Sequence, residues 1–208
     1  MLELFISAFV TLFVVIDPPG CAPIFAGLTS GAPPAQARGM AFRACIIAMA
    51  ILVLFALFGE GLLGALQIEL NSFRFAGGIM LFLIALGMVF EKRTQRREER
   101  AEMIKSTPEI EDISVFPLAI PMVAGPGSIA TIMLLMSRAE GTPQTLVVLA
   151  ALGAVMVLLL LALLAAVPIM RLVGKQVEAV ITRLLGVLLA ALAAQYVVDA
   201  VRTVLHSA

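Results

Sequence analysis

Asp17 stands inside a long apolar run and is followed directly by Pro18-Pro19-Gly20. If that run crosses a bilayer, the acid lies where a charge costs roughly 2.5 kcal/mol or more on insertion scales. A residue kept at such a cost needs a partner or a task. It can serve as a proton-coupling acid or as the partner of a substrate ammonium group. It can also be the N-cap of a half-helix beginning at Pro18, since Asp at the cap and Pro at the first helical position are both favoured. Both readings stay open on residue type alone. A second interruption, Gly125-Pro126-Gly127, breaks another apolar run in the other half of the chain, with Ala124 before it and the hydroxyls of Ser128 and Thr131 after it. The candidate substrate-binding set is therefore Asp17, Pro19, Gly20, Ala124, Gly125, Gly127, Ser128 and Thr131, with Asp17 also the candidate coupling residue.

The physical reason for grouping the two sites lies in the backbone. Proline removes a donor and clashes with the preceding turn, and glycine permits non-helical angles, so each site is expected to break its helix. Interrupted backbone at membrane depth survives only where protein or a watery cavity satisfies it. One such break in each half of a chain is a pointer to the central site of a transporter. Each break also starts a half-helix whose first amides are unpaired and partly positive, a ready site for a carboxylate. Small residues at both breaks leave room for a small solute.

Composition supplies the setting. The chain has 208 residues, 62% hydrophobic and 13% charged, against about half apolar and a quarter charged in soluble domains. It reads as an integral membrane protein. Residues 1–16 lack Lys and Arg and run into Asp-Pro-Pro-Gly, which argues against a cleaved secretory leader. A formal net charge of zero without a basic patch argues against nucleic acid. Cys21 and Cys45 lack C-x-x-C spacing and read as small buried hydrophobes. No metal and no cofactor is expected.

Six spans can be marked: Leu2–Leu28 with its break, Ala41–Phe58, Phe73–Phe90, Val115–Met136 with its break, Leu146–Val167 and Ile181–Leu205. About ten residues follow each break, roughly 15 Å of helix or half a hydrocarbon core. The chain divides into residues 1–90, a charged cytoplasmic loop at 91–114, and residues 115–208. The outer two parts look like an internal repeat. Each has a Pro-Gly break, a Gly-x-Pro turn, and a span opening Arg-x-x-Gly (Arg74 to Gly77, Arg183 to Gly186), with 54 residues from Gly20 to Arg74 and 56 from Gly127 to Arg183. Three spans per copy force the second copy to enter the membrane inverted. The expected fold class is thus all-α integral membrane, six transmembrane helices as two inverted three-helix repeats with broken first and fourth helices. Placing the basic loop inside puts eleven of the 14 Lys and Arg on the cytoplasmic side, leaving Arg74, Arg138 and Arg202 outside, and makes both termini extracytoplasmic. Arg74 and Arg183 read as structural residues that snorkel or bind neighbouring helix ends.

Asp17-Pro18-Pro19-Gly20-x-x-Pro23-x-Phe25, Arg74-x-Ala76-Gly77-Gly78-Ile79 and the stretch Phe116-Pro117-Leu118-Ala119-Ile120-Pro121-x-x-Ala124-Gly125-Pro126-Gly127-x-Ile129 resemble the MarC (multiple antibiotic resistance protein C) family. The resemblance covers essentially the whole chain. It implies a six-helix protein of the bacterial or archaeal cytoplasmic (inner) membrane, and kinship with SnatA-type transporters of small neutral amino acids such as glycine and alanine. The function expected is secondary transport of a small zwitterion by alternating access. No G-x-x-x-x-G-K-[ST] motif is present, so coupling would be to H⁺ or Na⁺, or absent. A passive channel or a membrane effector without coupled transport is the alternative. An enzyme is not expected: a serine dyad needs a deep histidine where His206 is terminal, and the topology puts Asp17 and Asp199 at different depths. A homo-oligomer is allowed by the Leu/Ala/Gly-rich surfaces.

Overall fold

A computed structural model describes residues 1–90 and 112–207, with side chains for all of these except 167–178, 206 and 207. Nearly all of the charged loop expected at 91–114 lies outside the described residues. The rest is all-α and multi-spanning. Five helical spans are long and apolar enough to cross a membrane, and a bent pair in the second half makes a sixth.

The first span is α1 (Leu2–Ile16) and α2 (Pro18–Leu28), separated by Asp17 alone. The helices α3 (Pro34–Ala65) and α4 (Leu70–Val89) complete the first half. Helix α3 is longer than the span marked at 41–58, because it begins at Pro34 and continues past Gly59-Glu60-Gly61 through Leu62 and Leu63 to Ala65. It stops in a Schellman arrangement: Gln67 is left-handed (φ 56), its amide donates to Gly64 O at 3.0 Å, and the Ile68 amide donates to Leu63 O at 2.9 Å.

The second half opens on the irregular segment Ser114–Val123, followed by α5 (Pro126–Met136), α6 (Gly141–Leu164) and α7 (Ala166–Ser207). Its first span departs from the expected pair of α-helical halves. Phe116 and Ile120 are extended, and the Phe116–Pro117 and Ile120–Pro121 peptides are cis. Pro117 and Pro121 remove donors and disfavour the helical region for the residues before them. The backbone instead closes with wide i→i−5 bonds, Leu118 N to Ile113 O and Ala124 N to Ala119 O. This segment meets α5 at a bend of 52°.

Helix α1 packs on α6, Ser114–Val123 on α3, α2 on α6 and α7, and α5 on α3 and α4. The most extensive seam joins α4 to α7. Glycines make it close: a Cβ on Gly78 would stand 3.1 Å from Ala193 O, and one on Gly186 would stand 2.9 Å from Met88 Cβ and 3.1 Å from Ala85 O. Small residues let membrane helices approach backbone to backbone, where packing rather than water drives association. Gly186→Leu is expected to lower stability by about 1–3 kcal/mol, read as a lower unfolding temperature in detergent. Gly153→Ala, with nothing within 4 Å of the added carbon, serves as the neutral control.

Outside the spans, Asp112 Oδ2 pairs with Arg43 Nη1 at 2.8 Å, tying the entry of the second half to α3. Ser114 holds the Asp112 carboxyl below the usual carboxylate range. Its hydroxyl stands close and its amide donates to Oδ1 at 2.9 Å; burial opposes this weakly, and Arg43 adds to the lowering. A lowered native pKa means that the contribution is full above about pH 4, the unfolded value, and fades as pH falls through the native value. Both side chains are about half exposed, so the pair is worth at most about 1 kcal/mol. Asp112→Asn is therefore expected to lower the unfolding temperature slightly at pH 7, with the difference vanishing in strong acid. An equal difference at both pH values would remove the carboxylate as its cause.

Candidate functional site

The two interruptions are built differently. At the first, the left-handed residue is Asp17 itself (φ 61, ψ 63), not the glycine. Asp tolerates this region better than most residues because its short polar side chain bonds locally. Here Oδ1 accepts from the Gly20 amide at 3.1 Å, while Asp17 O accepts from the Cys21 amide at 3.0 Å. Gly20 is present for close approach: a Cβ there would run into the Asp17 carboxylate.

This corrects one expectation. The head of α2 was expected to offer unpaired amides, yet Pro18 and Pro19 have none and Asp17 engages the next two. The positive end of α2 is closed by its own carboxylate. The head of α5 is open. Gly125 caps it without a side chain, in an extended conformation (φ −84, ψ 171), and Pro126 contributes no donor. Ile129 N bonds Gly125 O at 3.0 Å; among the described residues, the Gly127 and Ser128 amides meet no acceptor. Glycine at 125 is again a matter of space, since an added Cβ would run into the Pro121 carbonyl oxygen.

The α5 head packs against α1 just before the first break. A Cβ on Gly127 would stand 3.8 Å from Val15 Cγ1, two residues before Asp17, and would press on Ile84 of α4. Asp17 brings a buried carboxylate to the first break, and the amides of Gly127 and Ser128 bring partial positive charge to the second. Asp17 is 1% exposed, Ser128 3% and Thr131 0%. Gly20, Ala124, Gly125 and Gly127 are also buried, and Pro19 is half-buried. Thr131 Oγ1 donates to Gly127 O at 2.7 Å, and Thr11 Oγ1 to Ser7 O at 2.7 Å, so both hydroxyls present lone pairs rather than protons to their surroundings. Cys21 and Cys45 are buried and not joined in a disulfide, and Cys21 Sγ donates to Ile16 O at 3.5 Å.

Arg74 is not at the breaks. Its Nε donates to Ser137 Oγ at 3.2 Å and its Nη2 to Ser137 O, so it caps the far end of α5. Arg183 is exposed near the start of the described part of α7. A second cluster stands at the Arg74 end and was not anticipated. Arg138 pairs with Asp199 at 2.9 Å and lies over the Tyr196 ring at 4.1 Å, and Gln195 Nε2 donates to Asp199 Oδ1 at 2.7 Å. Its signal was present in the charges: Arg138 falls on the outer side and Asp199 lies away from the depth of Asp17, and an acid and a base at one depth are natural partners.

An all-α bundle of apolar spans, the first interrupted at a buried acid and the fourth at Gly125-Pro126, defines a multi-spanning membrane protein. The chain belongs to the MarC family of integral membrane proteins, which it matches over residues 2–205. It is 39% identical over 151 residues to the UPF0056 membrane protein MJ1677 of Methanocaldococcus jannaschii, covering 73% of each chain. It is 30% identical over 202 residues to a UPF0056 membrane protein of Aquifex aeolicus, covering 97% of this chain and 94% of the other. It is also 36% identical over 130 residues to the UPF0056 inner membrane protein YhgN of Escherichia coli K12, covering 62% of each. No solved structure matches this chain.

Proposed function

We propose that this protein is a secondary transporter of a small zwitterionic solute, a neutral amino acid such as glycine or alanine, as the kinship with SnatA-type carriers implies. The observation that carries the reading is the uncapped head of α5 at the second break. The unpaired amides of Gly127 and Ser128 suit a carboxylate. The buried carboxylate of Asp17 suits an ammonium group, and is the candidate coupling group if transport is coupled to H⁺ or Na⁺. Residues Pro19, Gly20, Ala124 and Gly125 shape the space, and Thr131 buttresses the α5 head. No catalytic role is assigned to any of them.

Alternating access would come from rocking one half against the other about this centre. An inversion relating the halves would exchange α1 with Ser114–Val123, α2 with α5, α3 with α6 and α4 with α7. Three pairs of contacts support such an exchange: α1 lies on α6 as Ser114–Val123 lies on α3, α2 on α6 as α5 on α3, and α2 on α7 as α5 on α4, while the contact of α1 with α5 has no counterpart of similar extent between Ser114–Val123 and α2. In this reading residues 1–90 and 115–208 are the two repeats, both termini face outward, and the membrane is the cytoplasmic one. The near-complete burial of Asp17, Ser128 and Thr131 favours a gated carrier over a standing pore.

The test is counterflow in liposomes. Vesicles preloaded with unlabelled alanine are expected to accumulate labelled alanine transiently above its equilibrium level. Simple equilibration would instead indicate a channel, and no flux of glycine or alanine would remove the substrate assignment.

A further inference from the structure

A cavity of about 240 Å³ lies at the end of the bundle where α3 and α5 finish and α4 and α6 begin. It is well away from the breaks in sequence and is separated from them by the length of α5, 11 residues or roughly 16 Å. Its wall combines Glu60 with Ser137, Thr145, Met133, Leu63 and Leu70. At about 30 Å³ per water it has room for roughly eight, enough for a small amino acid with part of its hydration. One charge lines it, and an opposite one stands behind a lining residue. Glu60 is exposed on the α3 side, and Arg74 rests on Ser137 within electrostatic reach of Glu60. Met133 closes the inner side, packed so tightly over Gly59 that a Cβ there would stand 2.8 Å from its Cε.

We propose that this cavity is a second binding site for the same class of small zwitterion, in which Glu60 takes the ammonium group and Arg74 the carboxylate. It rests on the transporter reading above and places the mouth of the pathway here. Solute held at the mouth would pass along α5, beyond Met133, to the amides at its head. A solute carboxylate on Arg74 competes with Ser137 for the guanidinium, so occupancy of the mouth loosens the end of α5 that Arg74 caps.

The measurement is the stoichiometry of labelled alanine bound at equilibrium to the purified full-length protein in detergent. The wild type is expected to bind two per chain, and Glu60→Gln and Asp17→Asn one each. Glu60 is exposed, so its substitution leaves the unfolding temperature unchanged and the loss cannot be attributed to misfolding. One alanine per chain, kept by Glu60→Gln and lost by Asp17→Asn, would overturn the second site and leave the central one standing. One alanine lost by Glu60→Gln and kept by Asp17→Asn would uphold the cavity and overturn the central site. Two alanines retained by Glu60→Gln, or none bound by the wild type, would refute the cavity as a site for this solute.

Discussion

Asp17→Asn is expected to abolish gradient-driven uptake of labelled alanine in proteoliposomes, a loss of at least about 100-fold, while the protein remains folded. The expectation follows from separating two things that Asp17 does. As a cap it places Oδ1 on the Gly20 amide and occupies a left-handed position, φ 61. Asparagine caps about as well as aspartate and tolerates left-handed angles, so the break survives. What asparagine lacks is the charge, and with it both the partner for an ammonium group and the group that can carry a proton. Asp17→Ala is expected to behave otherwise. It forfeits the cap, about 1 kcal/mol, and places an ordinary residue in the left-handed region, about 1–2 kcal/mol more. It should therefore lower the unfolding temperature as well as transport. Full gradient-driven uptake by the asparagine variant would leave Asp17 as a helix cap and nothing more.

Gly125→Ala is expected to reduce alanine counterflow at least tenfold and to cost about 1–3 kcal/mol of stability. The cause is not backbone freedom, because φ −84 and ψ 171 are open to any residue. The added carbon would run into the Pro121 carbonyl, so the chain before α5 must move away. That movement turns the Gly127 and Ser128 amides off the direction set by the close turn. Gly27→Ala in α2 is the matched control, since its Cβ would meet nothing within 4 Å and helix propensity favours alanine. Unchanged counterflow in the Gly125 variant, with the control also unchanged, would show that the α5 head does not need this geometry.

Both substitutions act at positions whose importance was readable from residue type, yet for reasons that were not. Proline and glycine at 18–20 and 125–127 announced two interruptions, because the missing donors are a local fact. The left-handed conformation of Asp17 and the steric role of the glycines were not local facts, since they depend on which atoms come near. The same holds for the ends of α5. One is open because, among the described residues, no acceptor reaches the Gly127 or Ser128 amide, and the other is capped by Arg74, 63 residues earlier in the chain. Charge and span counting put Arg138 on the outer side and Asp199 away from the depth of Asp17, but their pairing across 61 residues emerged only from packing.

By itself the sequence determined the solvent this chain must live in, the approximate number and order of its apolar spans, the two places where backbone donors run out, and the family it resembles. These follow from composition and from rules that act within a few residues. The Asp17 cap was legible as one of two local readings, whereas only the tertiary structure decided what meets the ends of α5: Arg74 caps one, and among the described residues no acceptor closes the other. The reason is that proline's missing N–H is written at its own position, whereas the acceptor or charge that answers an exposed amide arrives from wherever packing brings it.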